Sequence, residues 1–298
     1  MSVSVTQTKG LKAASIRQSS WFLRLSRWSG VLAKYVVLLF FLYIFLQPFI
    51  WIWSSALKSS QEIAADPFAL PKEWHWENLA NAWTLGRFNQ YIGNTLIYSV
   101  IIVLGVCFIA CLAGYALATR PFPGQNFIFI LFLLGLMVPF QSIMIPVYYL
   151  ARDLHILGTR WAMIIPSTAL GLPFGIFLMR AFFRGLPMEL ADAAWIDGCT
   201  EWGVFWRIML PLAMPGLTTL AVFQFMGTWN AFLIPLILVQ REELRPVALG
   251  IMFYFGRYTA DRGMIAAGVT LASLPIILVY LSLQHQFVRG ITAGAVRG

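Results

Sequence analysis

The sequence predicts an all-α integral membrane protein with six transmembrane helices, and three observations carry that expectation. The 298 residues are 59% hydrophobic and only 11% charged, whereas soluble domains are roughly a quarter charged. Such a chain lacks the polar residues to cover its own apolar surface in water. Six stretches, at 33–53, 95–117, 127–145, 161–183, 215–239 and 265–284, each supply the ~20 mostly apolar residues that a helical span needs. Finally, Lys9, Lys12, Arg17, Arg24, Arg27 and Lys34 lie at the front of the chain with no acid among them. The positive-inside rule places that end in the cytoplasm, and six crossings return the C-terminus to the same side. The remaining segments are too short to build a second core. The spans therefore form one domain, 33–284, between a basic tail at 1–32 and a C-terminal tail at 285–298.

Taken in order, the tail is expected to stay on the chain, because the apolar run after Lys34 is span-length and no small-x-small site follows. Trp21, Leu25, Trp28 and Leu32 recur at helical spacing, which fits a short interfacial helix or a disordered basic tail. The first external loop, 54–92, holds Trp74, Trp76 and Trp83, suited to the headgroup belt or to a docking protein. Span two opens at Asn94-Thr95 and closes on a tight turn, Thr119-Arg120-Pro121-Phe122-Pro123-Gly124. Pro139 is expected to kink span three, with an external loop from Pro146 to Trp161. Gly171, Pro173 and Gly175 in the middle of span four suit either a cavity lining or a packing kink. A cytoplasmic loop, 184–212, precedes span five, whose Gln224, Thr228, Trp229 and Asn230 concentrate hydrogen-bonding groups at membrane depth. These four suit an uncharged hydroxylated solute, and equally plain interhelical bonding. An external loop around 242–262 leads to span six, and 290–298 closes the chain with small, flexible residues.

Several chemistries are excluded on composition. No Asp, Glu, Lys or Arg lies deep in a span, so a proton relay has nothing to run on, while sodium coupling through carbonyls and hydroxyls stays open. No lysine follows a glycine, so there is no Gly-Lys-Ser/Thr phosphate loop and no direct ATP site. Cys107, Cys111 and Cys199 have no second pair for a zinc site, and no cofactor or metal is expected. The net charge of +9 sits largely in the N-terminal tail, which speaks for the membrane surface and against nucleic acid. No nucleophile motif or membrane-depth carboxylate pair supports an enzyme.

The loop at 184–212 is the most informative segment. Pro187 suits the first turn of a helix, Glu189 and Asp192 favour its positive end, and Gly198 suits the left-handed residue that stops it. Ala191, Ala193 and Ala194 leave little side-chain bulk, so the helix can press close against another surface. A second helix is expected from about Thr200, stopping before Pro211, with Phe205, Ile208 and Met209 on one side.

This stretch resembles the loop signature of permease subunits in bacterial ATP-binding-cassette importers, roughly Glu-Ala-Ala, three residues, Gly, then Ile-x-Leu-Pro. The matching residues are Asp192-Ala193-Ala194, Gly198 and Ile208-Met209-Leu210-Pro211. Asn94-Thr95, Gly114-Tyr115-Ala116-Leu117-Ala118, Trp229-Asn230 and the ending 287–296 resemble the carbohydrate-uptake branch, in particular the smaller six-span permease of maltose-type systems. Asp192 stands where the pattern has glutamate, Trp195 where a base is common, and Cys199 where alanine is common. The resemblance implies that the loop docks on an ATP-binding subunit through Glu189, Asp192, Ala193, Ala194, Asp197 and Gly198. It further implies a second permease subunit, two ATP-binding subunits, an extracytoplasmic solute-binding protein, and a sugar, oligosaccharide or sugar-like polyol as solute, carried across the bacterial cytoplasmic (inner) membrane. The competing class is a stand-alone channel or sodium-coupled carrier, which would need no ATPase.

Overall fold

A computed structural model describes residues 31–258 and 261–295, with side chains as far as Ser282. The striped segment at 21–32 and the ending at 287–296 thus fall mostly outside the described side chains. Among the described residues every regular element is helical.

The first helix, α1 at Val31–Ser55, is long and apolar, and its most apolar window is wholly unburied. The following segment is more ordered than a loop. Helix α2, Ser60–Ala65, starts on a capping box in which Ser59 accepts from the Glu62 amide and Glu62 accepts from the Ser59 amide. Lys58 before it is 1% exposed and donates to the Asp66 carbonyl at 3.1 Å. Exposed Trp74 and Trp76 stack with ring centroids 6.0 Å apart just ahead of α3, Glu77–Thr84.

Helices α4 (Phe88–Thr119) and α7 (Trp161–Arg184) form the centre. Small residues set their approach. A Cβ on Gly114 would lie 2.8 Å from the Met179 Cβ, and one on Gly175 would lie 2.9 Å from that of Ala110. Gly105 faces Thr168 in the same register, so the two helices run in the same direction, as spans two and four must. Helix α11, Met214–Trp229, crosses them antiparallel, with Gln224 against Gly171 and Leu220 against Gly175. Helix α7 is continuous through Pro166 and Pro173. Its glycines are therefore places of close approach, which favours the packing alternative over a broken, cavity-lining span.

Two spans differ from expectation. Span three is not a kinked helix over 127–145. Helix α5, Gln125–Met137, and helix α6, Phe140–Asp153, meet at 101°. Val138 before the proline takes an extended conformation, as X-Pro sterics demand, and Pro139 itself is extended. Helix α6 then carries Pro146 in its interior, so the connection to α7 begins at Leu154 rather than at 146. Span five likewise ends at Trp229 instead of 239. Pro235 lacks the N–H that would bond the Ala231 carbonyl and crowds it, so the chain turns and restarts as α12, Leu233–Leu238. Leu238 packs with Ala151 and Ala162, closing α12 over α6 and α7.

After α12, a single 3₁₀ turn and α13, Val247–Arg257, lead to α14, Arg262–Ala295. That helix runs far beyond 284, so the segment expected as a flexible tail is helical to Ala295. Asn94 and Thr95 fasten this end of the bundle. The Asn94 amide donates to the Glu243 carbonyl at 2.7 Å and the Arg245 carbonyl at 3.1 Å, and the Thr95 hydroxyl accepts from the Val247 amide at 2.7 Å. Among the described residues four helices are long and apolar enough to cross a bilayer, and six spans result when each bent pair is counted as one.

Candidate functional site

Between Met188 and Thr200 the loop folds as its local signals dictate, although Pro187 lies just ahead of the N-cap Met188 rather than in the first turn. Helix α8 spans Glu189–Ile196, with both expected acids in its first turn. It ends in a Schellman arrangement: the Cys199 amide bonds the Ala194 carbonyl at 2.9 Å and the Gly198 amide the Trp195 carbonyl at 3.0 Å. Gly198 has φ +83° with open space around its missing Cβ, so the glycine answers a backbone need. Thr200 caps the next helix, accepting from the Gly203 amide at 3.2 Å.

That second helix does not stop before Pro211. Helix α9 (Glu201–Val204) passes through a π turn (Phe205–Met209) into α10 (Leu210–Leu212), then bends 73° into α11. The wide turn sits where the Pro211 ring would otherwise crowd the carbonyl four residues back, and the Leu210 amide reaches the Phe205 carbonyl instead. Phe205 and Met209 point into the core as expected, and Ile208 is half-buried.

Helix α8 has two faces. Ala191 and Ala194 are buried in the main core cluster, with Met188 and Trp195 half-buried beside them. Glu189, Leu190, Asp192, Ala193, Ile196, Asp197 and Gly198 are exposed, Ile196 at 86%. Five of the six residues expected to dock a partner thus share the outer surface. Ala194 is the exception, because helical spacing turns it inward beside Ala191.

Three residues that sequence reasoning does not connect with one another hold this loop to the bundle. The Tyr115 hydroxyl donates to Glu201 Oε1 at 2.7 Å, and Arg120 pairs with Glu201 Oε2. The Arg120 guanidinium also lies over the Trp195 ring, 4.1 Å from its centroid. The neighbouring carboxylate holds the Arg120 proton more tightly than usual. Tyr115 in turn packs edge-on to Phe183 and tilted on Phe205, at 5.5 and 5.1 Å. The signals available were Thr200-Glu201 as a cap and first turn, and Arg120 at the end of a span. Beside this cluster, buried Arg180 donates to the Leu117 carbonyl at 3.0 Å and stacks on Phe129 at 3.7 Å, tying α7 to the α4–α5 turn.

The polar group on span five is not brought together as one site. Gln224 is half-buried against the Gly171 backbone. Thr228 and Trp229 are buried, and the indole donates to the Ala272 carbonyl of α14 at 3.3 Å. Asn230 is exposed and bonds the Met226 carbonyl of its own helix at 2.9 Å. Cys107 and Cys111 are free thiols on α4, and the described residues contain no group of three His, Cys, Asp or Glu side chains placed to hold a metal.

Known proteins match this architecture over most of its length. Residues 108–293 match the family described as "Binding-protein-dependent transport system inner membrane component". The chain is 36% identical to the probable ABC transporter permease protein YurM of Bacillus subtilis, over 90% of this chain and 89% of that one. It is 33% identical to the diacetylchitobiose uptake system permease protein NgcG of Streptomyces coelicolor, over 89% and 88%. The arabinooligosaccharides transport system permease protein AraQ of Bacillus subtilis is 32% identical over 90% and 95%. A crystal structure of a bacterial ABC transporter involved in the import of the acidic polysaccharide alginate superimposes with a TM-score of 0.76, covering 86% of this chain and 95% of that one at 23% identity. The match from within α4 to α14, loop included, means that this chain belongs to the binding-protein-dependent transport system inner membrane component family.

Proposed function

We propose that this chain is one of two permease subunits of an importer for a sugar, an oligosaccharide or a sugar-like solute, driven by ATP hydrolysis on separate subunits. The observation that carries the reading is the outer face of α8. It presents small, acidic and apolar side chains on a short helix that is capped at its end and seated on the core by Ala191 and Ala194. A rigid, low-bulk helix projecting from a membrane bundle transmits a partner's movement better than a flexible loop. Glu189, Asp192, Ala193, Asp197 and Gly198 would meet the ATP-binding subunit, with Ala194 supporting them from behind. On this reading the α8 end faces the cytoplasm of a bacterial cell, both termini lie on that side, and the Asn94 end faces the solute-binding protein.

The solute class follows from relatives named for diacetylchitobiose and arabinooligosaccharide uptake. It also fits a bundle whose polar groups on span five are all uncharged. The unburied surface of α1 fits a place against lipid or the second permease.

The test is to tag the chain, extract it in mild detergent and identify what copurifies by mass spectrometry. Two copies of an ATP-binding subunit and one other permease are expected. Proteoliposomes of that complex with its solute-binding protein should take up labelled oligosaccharide only with ATP inside. A lone chain or homo-oligomer that transports without an ATPase would overturn the reading in favour of a channel or sodium-coupled carrier.

A further inference from the structure

One carboxylate gathers the base of the α8 loop. Glu201 is the first residue of α9, yet its two oxygens are taken by residues of the α4 end, Tyr115 on one and Arg120 on the other. Arg120 continues the chain of contacts to α8 by lying over Trp195. The helix that carries the exposed docking face is thus joined to span two by side chains, as well as to spans four and five by backbone. The Arg120 and Glu201 side chains are 52% and 41% exposed, and ion pairs that open to solvent add little to stability. The arrangement is directional rather than cohesive: it fixes where α8 and α9 sit relative to α4.

We propose that Glu201 is a positioning residue that makes the α8–α9 segment and the end of α4 move as one unit, so that displacement of the docking helix is delivered to span two. This rests on the reading that α8 meets an ATP-binding subunit. Without Glu201, the loop keeps its backbone connections to α7 and α10, the apolar seating of Ala191, Ala194 and Phe205 and the Arg120–Trp195 stack. It loses the polar contacts that fix its direction relative to α4, and a partner's closure is taken up by sliding in the loop.

The test uses the whole reconstituted complex and reads solute moved per ATP hydrolysed, a ratio that a purely structural loss of protein leaves unchanged. Glu201→Gln is expected to keep the ATP-binding subunit bound and the melting temperature close to that of the parent, while the ratio falls at least fivefold. A second variant works in a cysteine-free parent, C107A/C111A/C199A, that transports normally. There, R120C/E201C should be uncoupled when reduced and should recover most of the ratio when a short thiol cross-linker rejoins the two positions. An E201Q complex within twofold of the parent overturns the proposal, as does a cross-link that leaves the ratio low or abolishes transport. Loss of the ATP-binding subunit from E201Q also overturns it, because Glu201 would then serve docking or folding. Failure of the parent itself to hold an ATPase is a different result and defeats the functional reading instead.

Discussion

The α8 loop and the polar end of α11 are about equally conspicuous in the sequence, yet they fold into opposite kinds of arrangement. In the loop, helical spacing sorts neighbouring residues into an outer face, with Asp192 and Ala193, and an inner one, with Ala191 and Ala194. Each face has one environment, solvent for the first and the core for the second. On α11, four hydrogen-bonding residues within seven positions scatter: Gln224 towards α7, Trp229 onto α14, Asn230 back onto its own helix. A loop helix that is capped locally keeps its pattern wherever it is placed. A span packed on several sides divides its polar groups among its neighbours.

The contrast is broken most severely from the inside. A leucine at Gly114 would drive its Cβ to 2.8 Å from Met179 Cβ and 2.9 Å from the Arg180 amide nitrogen, both on α7. Overpacking a tight contact costs about 1–3 kcal/mol or more, and here one of the atoms met is backbone. Gly114→Leu should therefore abolish the monodisperse peak of the detergent-extracted chain in size-exclusion chromatography. Normal elution would show that α4 and α7 pack less closely than described.

Next in size are substitutions that separate the two faces of α8. Ala193→Leu enlarges the exposed face and should leave the chain folded while lowering recovery of the ATP-binding subunit at least tenfold. Ala194→Leu enlarges the buried face and should first lower the melting temperature, by a cost of about 1–3 kcal/mol. If the two variants behave alike, the faces are not distinct. Gly198→Ala lies between them, because a left-handed residue with a side chain costs about 1–2 kcal/mol even in open space.

Much of this was legible beforehand, for identifiable reasons. Pro187, Gly198 and Thr200 act within a turn of themselves, so a linear reading placed α8 and the start of α9 to within a residue or two. The same reading took Pro139 for a kink, because nothing local says whether a helix beyond a proline resumes its direction or leaves at 101°. Pro146 is not the start of a loop but lies inside α6, and Pro235, in the first turn of α12, accompanies a break that the span at 215–239 does not anticipate. The cluster of Tyr115, Arg120 and Glu201 was invisible because it joins residues 81 and 86 positions apart. Asn94 and Thr95 were noticed as a resemblance, but their carbonyl and amide partners in 243–247 are long-range as well.

The smallest effects decide the remaining question about α11, whether any of its polar residues meets the solute. Trp229 spends its N–H on the Ala272 carbonyl in a buried contact. Interhelical hydrogen bonds in membranes average about 0.6 kcal/mol, so Trp229→Phe should cost about that much and leave the solute concentration for half-maximal uptake unchanged. Asn230 is exposed and bonded only within its own helix, so Asn230→Ala should change stability by less than about 0.5 kcal/mol. If the end of α11 faces the solute, N230A nonetheless raises that half-maximal concentration severalfold, because a lost contact to a hydroxyl acts on binding alone. Equal and unchanged uptake in both variants would assign the whole polar group to helix packing and leave solute recognition to the partner permease.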